Sequence, residues 1–320
     1  MDLQVTFQDI LRAKKRLKGR VIETPLVPST ILSKETDTDI WFKMESLQTT
    51  GSFKVRGALN KLDSLTKEEL KKGVTTASAG NHAQGLAYAS LMKKVSAKIV
   101  VPKTTPETKK QGILRYGAEL VVYGENYDEA EEVAYKLAEE TGRVFVNAFE
   151  DDHIIAGQGT SALEAFLADP DFDAVIVPAG GGGLMCGVAL VAKAINPDIK
   201  VIGVQTHASP PWYHSFKAGK LVPVEYQDSL AEGLHGGITQ GNLDLALKIV
   251  DDIILVEEES VANAMVWLAR EHHYMVEGSG AVGVAALRDG LVPEIKGKKV
   301  LTFITGSNVD FAKLLKLATK

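Results

Sequence analysis

Lys54 lies in the stretch TTGSFKVRGALN, residues 49–60, where it follows a Gly-Ser-Phe turn and precedes Arg56. A lysine amine attacks a carbonyl carbon when it is partly desolvated or held close to a second cation. A lone lysine is nevertheless far more often a solvated surface charge. This segment alone does not decide between a covalent role and a surface charge.

Four consecutive glycines, residues 180–183, separate a predicted strand, Ala174–Pro178, from a predicted apolar helix. The backbone N–H groups of such a run can converge on an anion, and the positive end of the following helix dipole adds to the attraction. The alternative is a flexible loop, which is the commoner role of a glycine run. The strand before the run and the helix after it favour a phosphate site.

The dinucleotide pattern G-x-G-x-x-G cannot be placed on this loop, because Met185 and Cys186 stand where its last glycine is needed. It does match residues 278–283, but residues 260–277 before it are predicted to form a helix instead of the required strand. A nicotinamide-dependent dehydrogenase is therefore disfavoured.

Polar side chains also follow two other predicted strands. Ser78, Asn81 and His82 offer hydroxyl, amide and imidazole groups, which can hold a carboxylate or a phenolic oxygen. Thr305 begins the segment TGSNVD and could bond a heteroaromatic ring nitrogen. For both segments the alternative is an ordinary helix cap.

The composition is that of a globular protein of about two domains, with 320 residues, 45% hydrophobic, 24% charged and a net charge of −5. No basic block indicates nucleic-acid binding. No signal peptide and no apolar run long enough to span a membrane is found, so no membrane association is expected. Cys186 is the only cysteine and is interpreted as a small buried hydrophobe. A cytoplasmic enzyme or binding protein fits these features.

Short β-branched runs alternate with amphipathic stretches along the chain. This predicts an α/β fold of two interleaved domains with mainly parallel twisted sheets flanked by helices. The predicted strands are Val74–Ser78, Ala97–Pro102, Glu119–Tyr123, Val144–Asn147, Ala174–Pro178, Val201–Gln205, Ile253–Val256 and Val300–Ile304. The predicted helices include Asn81–Lys94, Asp128–Glu140, Gly159–Ala168, Leu184–Ile195 and Ser260–His272.

The motifs GSFKVRGA, SAGNHAQG, GGGGL and TGSNVD occur in this order, and together they resemble the fold-type II pyridoxal-phosphate enzymes, which have a tryptophan-synthase-β-like fold. The nearest members are the threonine/serine dehydratases (ammonia-lyases) and serine racemases. The resemblance implies a large cofactor domain, residues 1–50 and 146–320, and a smaller inserted domain, residues 51–145, that carries the Asn81 loop. It also implies a homo-oligomer, a dimer or tetramer, of the short form without a regulatory domain.

The resemblance also implies roles for single residues. Lys54 would bind the cofactor covalently and act as the catalytic base, with Phe53 against the cofactor ring. Asn81 would bond the cofactor 3-hydroxyl, and with Ser78 and His82 it would hold the substrate. The other implied cofactor contacts are Gly180, Gly181, Gly182, Gly183 and Leu184 at the phosphate, Thr305 at the pyridine nitrogen, and Glu277.

The implied reaction is β-elimination, the dehydration and deamination of L-threonine and/or L-serine to 2-oxobutanoate or pyruvate and ammonia. A neutral hydroxyl such as that of Thr305 leaves less charge in the ring than a carboxylate partner would, which favours elimination over transamination.

Three departures from the relatives bear on the substrate and on a metal. Ala79 stands where serine racemases place a proton-carrying serine, and Gln205 and Pro211 stand where some members bind a divalent cation, so no metal is expected. The segment Ala231–Gly233 reads Ala-Glu-Gly where many threonine dehydratases have Ala-Asp-Gly. The first two departures favour elimination over racemisation, whereas the third leaves the substrate open. Serine racemase and 3-hydroxyaspartate dehydratase are kept as alternatives, and a non-enzymatic sensor is a further one.

Overall fold

The computed structural model describes residues 3–319, and this part of the chain forms two β-sheets with helices packed on them. Its strands are β1 (Leu26–Pro28), β2 (Asp39–Lys43), β3 (Val74–Ala77), β4 (Ala97–Val101), β5 (Glu119–Val122), β6 (Val144–Phe145), β7 (Ala174–Pro178), β8 (Lys200–Thr206), β9 (Asp252–Val256) and β10 (Lys299–Phe303).

The helices follow the same order along the chain. They are α1 (Phe7–Leu17), α2 (Thr30–Thr36), α3 (Lys54–Ser64), α4 (Lys67–Lys72), α5 (Asn81–Lys93), α6 (Glu107–Leu114), α7 (Tyr127–Thr141), α8 (Asp152–Ala168), α9 (Gly183–Ile195), α10 (Pro211–Ala218), α11 (Gln240–Ile249), α12 (Glu258–Glu271), α13 (Gly278–Arg288) and α14 (Phe311–Ala318). Short 3₁₀ turns cover Glu45–Leu47, Glu232–Leu234 and Pro293–Ile295.

The larger sheet has six strands in the order β1-β2-β10-β7-β8-β9, and the smaller has four in the order β5-β4-β3-β6. Every pairing is parallel except that of β1 with β2. The α/β class with mainly parallel sheets is thus confirmed. No helix within residues 3–319 is long and apolar enough to cross a membrane.

Each strand of the larger sheet sends alternate side chains to opposite faces. In β7, Val175 and Val177 pack with α8 and α9, whereas Ile176 packs with α12 and α13 on the other side. Because both faces are covered, these strands are apolar throughout rather than alternating. Cys186 of α9 is fully buried in the first of these cores, as predicted.

The smaller sheet lies between residues 74 and 145 of the chain, within the segment predicted to form the inserted domain. Val74 and Ile99 face α3 and α5, and Ala77 and Val100 face α7. The limits of the two domains remain a prediction.

The helix that carries Lys54, α3, crosses α8 at a point where both helices have a glycine. A Cβ on Gly157 would lie 2.6 Å from the Cα of Gly57, so any larger residue would force the helices apart. This close crossing fixes the position of α3 against the large sheet's helix layer.

All eight predicted strands occur, each within two residues of its predicted ends. One predicted helix was wrong at one end, since α8 begins at Asp152, seven residues before the predicted Gly159. The helix predicted at Ser260–His272 is α12, which ends at Glu271, but the interpretation of residues 260–277 as one helix was wrong, because residues 272–277 are not helical. His273, with φ of +59°, adopts the left-handed conformation that ends the helical run.

Candidate active site

The predicted site segments are brought together by direct contacts. The Phe53 N–H donates to the Thr305 carbonyl oxygen at 3.2 Å, and Ser52 forms an isolated bridge with Gly306. Asn308, in the same segment as Thr305, donates to the Asn81 side-chain oxygen at 2.7 Å. The turn after β10 therefore holds the Lys54 and Asn81 segments side by side.

Lys54 is the first residue of α3, and its Nζ donates to the Ala148 carbonyl oxygen at 2.9 Å. The same Nζ lies 5.3 Å from the centre of the Phe53 ring. Burial lowers the pKa of Lys54 to about 8, although the Glu277 charge acts in the opposite direction. Burial favours the neutral amine, which is the form that attacks an aldehyde.

Arg56, the second cation of the motif, is not a partner of Lys54. Its guanidinium is fully buried and bonds the carboxylates of Glu45 and Glu164 at 2.7–2.8 Å. The lowered pKa of Lys54 therefore arises from desolvation and not from the neighbouring arginine.

The glycine run leads from β7 into α9 and has no room for side chains. A Cβ on Gly181 would lie 2.2 Å from the Phe149 ring, and one on Gly182 would lie 2.6 Å from the Trp212 ring. Gly182 also has φ of +103°, which side-chain-bearing residues rarely adopt. Within residues 3–319, no group of the chain accepts a hydrogen bond from the N–H of Gly181, Gly182 or Gly183. These N–H groups at a helix start suit a phosphate.

The amine and the glycine run are linked through two adjacent residues. Ala148 accepts the bond from Lys54, and the ring of Phe149 contacts Gly181. In pyridoxal phosphate the aldehyde and the phosphate arm extend from adjacent ring carbons. A desolvated amine beside a glycine run whose N–H groups suit a phosphate therefore fits this cofactor.

Asn81 begins α5, and both ends of its amide are bonded. Its Nδ2 donates to Glu277 Oε1 at 2.6 Å, while its Oδ1 accepts from Asn308. Burial raises the pKa of Glu277 to about 7, although the bond from Asn81 acts in the opposite direction. Gly306 leaves the space for this carboxyl, since a Cβ there would lie 2.3 Å from Glu277 Oε1.

Ser78 and His82 lie on either side of Asn81 at the end of β3. The Ser78 hydroxyl accepts a bond from the Gly80 N–H at 3.2 Å, which leaves its own O–H free to donate. Burial, aided by the Lys54 charge, lowers the pKa of His82 to about 3, so the ring is neutral. Its Nε2 bonds the Val146 carbonyl oxygen at 3.0 Å, which makes Nδ1 an acceptor without a partner.

Leu184 and Thr305 both follow strands of the larger sheet. Leu184 is in the first turn of α9, directly after the glycine run, and Thr305 is 2% exposed at the end of β10. Their roles toward the cofactor, like those of the other predicted site residues, remain predictions.

The residues compared with a cation site have other partners. The Gln205 side-chain oxygen accepts from the backbone N–H groups of Trp212 and Tyr213, and Pro211 starts α10. Within residues 3–319 no cluster of three His, Cys, Asp or Glu side chains is arranged to hold a metal ion. That the protein needs no metal remains a prediction.

Sequence reasoning assigned no role to Asn308, Asn242 or Trp212. Asn308 was within reach, because it belongs to the quoted motif TGSNVD. Asn242 and Trp212 bond the glycine run from segments 61 and 32 residues away in the chain, and nothing local in the sequence marks these contacts.

Comparison with known proteins agrees with this geometry. Residues 17–306 match the family model described as pyridoxal-phosphate dependent enzyme. The chain is 43% identical to L-threonine ammonia-lyase from Thermotoga maritima, over 99% of this chain and 79% of the relative. It is 40% identical to the catabolic L-threonine dehydratase TdcB of Escherichia coli K12, over 98% and 96% of the two chains.

Among solved structures, maize serine racemase superposes with a TM-score of 0.93 at 33% identity, covering 98% of this chain and 96% of that one. These similarities confirm the resemblance inferred from the four motifs, together with the fold type and the cofactor that it implied. The chain therefore belongs to the family of pyridoxal-phosphate-dependent enzymes.

Proposed function

We propose that this enzyme catalyses β-elimination of L-threonine and/or L-serine, releasing ammonia and a 2-oxo acid. The observation that carries the proposal is the buried Lys54 amine beside the glycine run. The relatives named for threonine ammonia-lyase and dehydratase support the substrate class. The proposal includes a cytoplasmic location and a homo-oligomer of two or four chains.

Lys54 acts first as the cofactor's anchor and then as a base. When bound, pyridoxal phosphate supplies an electron-accepting ring that stabilises negative charge at the substrate Cα. With its pKa lowered to about 8, the Lys54 amine is neutral in an appreciable fraction of molecules near neutral pH. The neutral Nζ can take the Cα proton, and Ala148, whose carbonyl oxygen accepts from Nζ, orients it.

The substrate carboxylate is held at the start of α5. Ser78 offers its O–H, and the first N–H groups of α5 add the positive end of the helix dipole. A neutral His82 whose Nε2–H is used by Val146 has no proton to donate there, so its part is to fill and shape the pocket.

Elimination is favoured over racemisation by the residue beside this cluster. Racemisation needs a second group that delivers a proton to the opposite face of Cα, and the methyl side chain of Ala79 cannot carry one. The matched maize structure is named a serine racemase, so the two outcomes must be separated by experiment.

The test is product formation by the purified holoenzyme from L-threonine, L-serine and 3-hydroxyaspartate. We expect 2-oxo acid and ammonia in equal amounts from L-threonine or L-serine, and no D-serine from L-serine. Release of 2-oxo acid from 3-hydroxyaspartate alone would assign the alternative dehydratase, and efficient D-serine formation would assign the racemase.

Lys54→Ala should abolish turnover while leaving the fold intact, since a methyl group can neither anchor the cofactor nor take the proton. Borohydride should fix the cofactor to the wild-type chain at Lys54 and not to the variant. Lys71→Ala, which removes a lysine from an exposed i,i+3 pair on α4, is the control and should keep full activity. An active Lys54→Ala enzyme would refute the proposal.

A further inference from the structure

We propose that Trp212 and Asn242 are positioning residues that hold the outward carbonyl groups of the glycine run and thereby aim its N–H groups at the cofactor phosphate. The inference rests on the proposed role of residues 180–183 as the phosphate cradle. It adds two side chains from distant segments that determine how that cradle is preorganised.

Trp212 bonds the first peptide group of the run. Its indole Nε1 donates to the Gly180 carbonyl oxygen at 2.5 Å, and the side chain is fully buried. The ring also closes the space beside Gly182, where a Cβ would meet it at 2.6 Å. Trp212 therefore both bonds the loop and fills the volume behind it.

Asn242 bonds the second peptide group. Its Nδ2 donates to the Gly181 carbonyl oxygen at 2.7 Å and lies 3.5 Å from the carbonyl oxygen of Phe149. Asn242 is fully buried, and its Cβ lies 3.3 Å from the position that a Cβ on Gly182 would take. One amide thus ties the glycine run to the segment that accepts the bond from Lys54.

The direction of the N–H groups follows from the planarity of the peptide bond. In a trans peptide the C=O and the N–H of the same unit point in opposite directions. Holding the Gly180 and Gly181 carbonyls toward Trp212 and Asn242 turns the N–H groups of Gly181 and Gly182 the other way. The Gly182 carbonyl accepts from Cys186 in α9 at 2.8 Å, which orients the N–H of Gly183 in the same manner.

Trp212 is itself held by a buried side chain. The Gln205 oxygen at the end of β8 accepts from the Trp212 N–H at 2.8 Å and from the Tyr213 N–H at 3.4 Å. Gln205 is fully buried, so this bond fixes the first turn of α10 against the sheet. Strand β8 thus positions α10 through Gln205, and α10 positions the glycine run through Trp212.

A preorganised cradle lowers the cost of binding, because glycine-rich backbone is otherwise the most mobile kind. Without the two side chains, the free loop samples conformations in which its N–H groups diverge. The loss should then appear in the affinity for the phosphate and not in the reaction of the aldehyde with Lys54.

The test compares pyridoxal phosphate with pyridoxal, which has the same aldehyde and ring but no phosphate. Apoenzymes of wild type, Trp212→Phe and Asn242→Leu are titrated with each compound, and the visible absorbance of the lysine-bound form is followed. Trp267→Phe is the matched control, since Trp267 is also a buried tryptophan whose Nε1 bonds a side chain, Glu35, in another part of the molecule. Thermal unfolding of each apoenzyme is measured in parallel.

We expect each site variant to raise the dissociation constant for pyridoxal phosphate about five- to tenfold, the loss of about one hydrogen bond, and to leave that for pyridoxal within about twofold. Trp267→Phe should change neither. The proposal would be overturned if the site variants weakened the binding of both compounds equally, or weakened the binding of neither. If wild-type enzyme binds pyridoxal as tightly as pyridoxal phosphate, residues 180–183 do not bind the phosphate. That result would refute part of the proposed function as well.

Discussion

Lys54 and Glu277 owe their proton states to burial in the same small volume. Desolvation lowers the pKa of the lysine to about 8 and raises that of the glutamate to about 7. Both shifts favour the neutral forms, so the two groups approach each other in pKa although their ordinary values differ by about 6 units. Two residues that are fully charged in neutral water thus have pKa values close to neutral pH.

The lowered pKa of Lys54 predicts how fast the apoenzyme captures its cofactor. Only the neutral amine attacks the aldehyde, so the rate should rise with pH and level off above about pH 8. Between pH 7 and pH 9 the neutral fraction of a group with a pKa of about 8 rises about tenfold. Stopped-flow absorbance after mixing apoenzyme with pyridoxal phosphate measures this rate.

Nα-acetyl-lysine is the control for this pH profile, because it shows how ionisation of the cofactor alone affects the reaction. A protein rate that keeps rising beyond pH 9 in parallel with that of the free amine would contradict the burial argument.

At this scale, short motifs revealed some residues and could not reveal others. Lys54, Asn81 and the glycine run stand in short motifs whose combination and order resemble a known family, although the Lys54 segment alone does not decide the role of its amine. The state of His82 could not be read in this way, because it depends on Val146 in another strand and on the Lys54 charge. Asn242 and Trp212 likewise act only through contacts made by the folded chain.

The element that we propose to bind the cofactor phosphate is the turn between β7 and α9. It combines two requirements at Gly182, a φ of +103° and an absence of side-chain volume against Trp212. Each requirement alone would favour glycine, and together they leave no other residue that fits.

Gly182→Ala should therefore lower cofactor affinity at least about tenfold and reduce the free energy of unfolding by more than about 1 kcal/mol. Gly290→Ala is the matched control, because Gly290 has φ of +65° but nothing within 4 Å of a Cβ. The Gly290→Ala substitution therefore introduces the backbone strain of a positive φ without a steric clash of the new Cβ. Urea unfolding and cofactor titration measure both effects. If Gly182→Ala behaves like Gly290→Ala, the Trp212 side chain must move to make room for the new methyl group.

Most elements were predictable because buried parallel strands are short runs of Val and Ile, and such runs are visible in the sequence. The first turns of α8 were missed for a physical reason. Its Gly157 and Gly159 weaken the helical pattern, yet in the fold they are contact points, Gly157 with Gly57 of α3 and Gly159 with Gly187 of α9. Glycine selected for close helix packing looks like a helix breaker until the partner helix is known.

At the scale of the whole molecule, salt bridges connect parts of the chain that are far apart in sequence. At the surface, Glu232 bonds Lys109 of α6, beside the smaller sheet, at 2.6 Å and Lys313 of α14 at 2.7 Å. The three side chains are 36–50% exposed, so solvent screens these pairs and their contribution to stability is small.

A second network of ion pairs surrounds the buried carboxylate of Glu164, where solvent screens the charges much less. Glu164 of α8 accepts from Arg56 of α3, from Lys43 of β2 and from Lys14 of α1, at 2.7–3.0 Å. Burial opposes ionisation of Glu164, but its bonds and charge interactions with Arg56 and Lys43 outweigh this and lower its pKa to about 2. One carboxylate thus balances cations from three other elements, and one of these elements carries Lys54.

Glu164→Gln should destabilise the protein by about 3–5 kcal/mol at pH 7, because it leaves buried cations with Glu45 as the remaining carboxylate. Since the pKa of Glu164 is lowered, its contribution is complete above about pH 4.5 and is lost as the pH falls toward 2, so neutral pH shows the full effect. Urea unfolding of the apoenzyme measures the free energy.

Glu119→Gln is the comparison, since Glu119 is 57% exposed and pairs with Lys98 between β4 and β5. Its loss should cost less than about 1 kcal/mol, because water replaces the partner. If the two variants are equally stable, solvent reaches Glu164, and the rigid attachment of α3 must come from the Gly57–Gly157 crossing instead. If Glu164→Gln alone is destabilised, the buried charges and the glycine crossing together hold the first residue of α3, and therefore the Lys54 amine, in place.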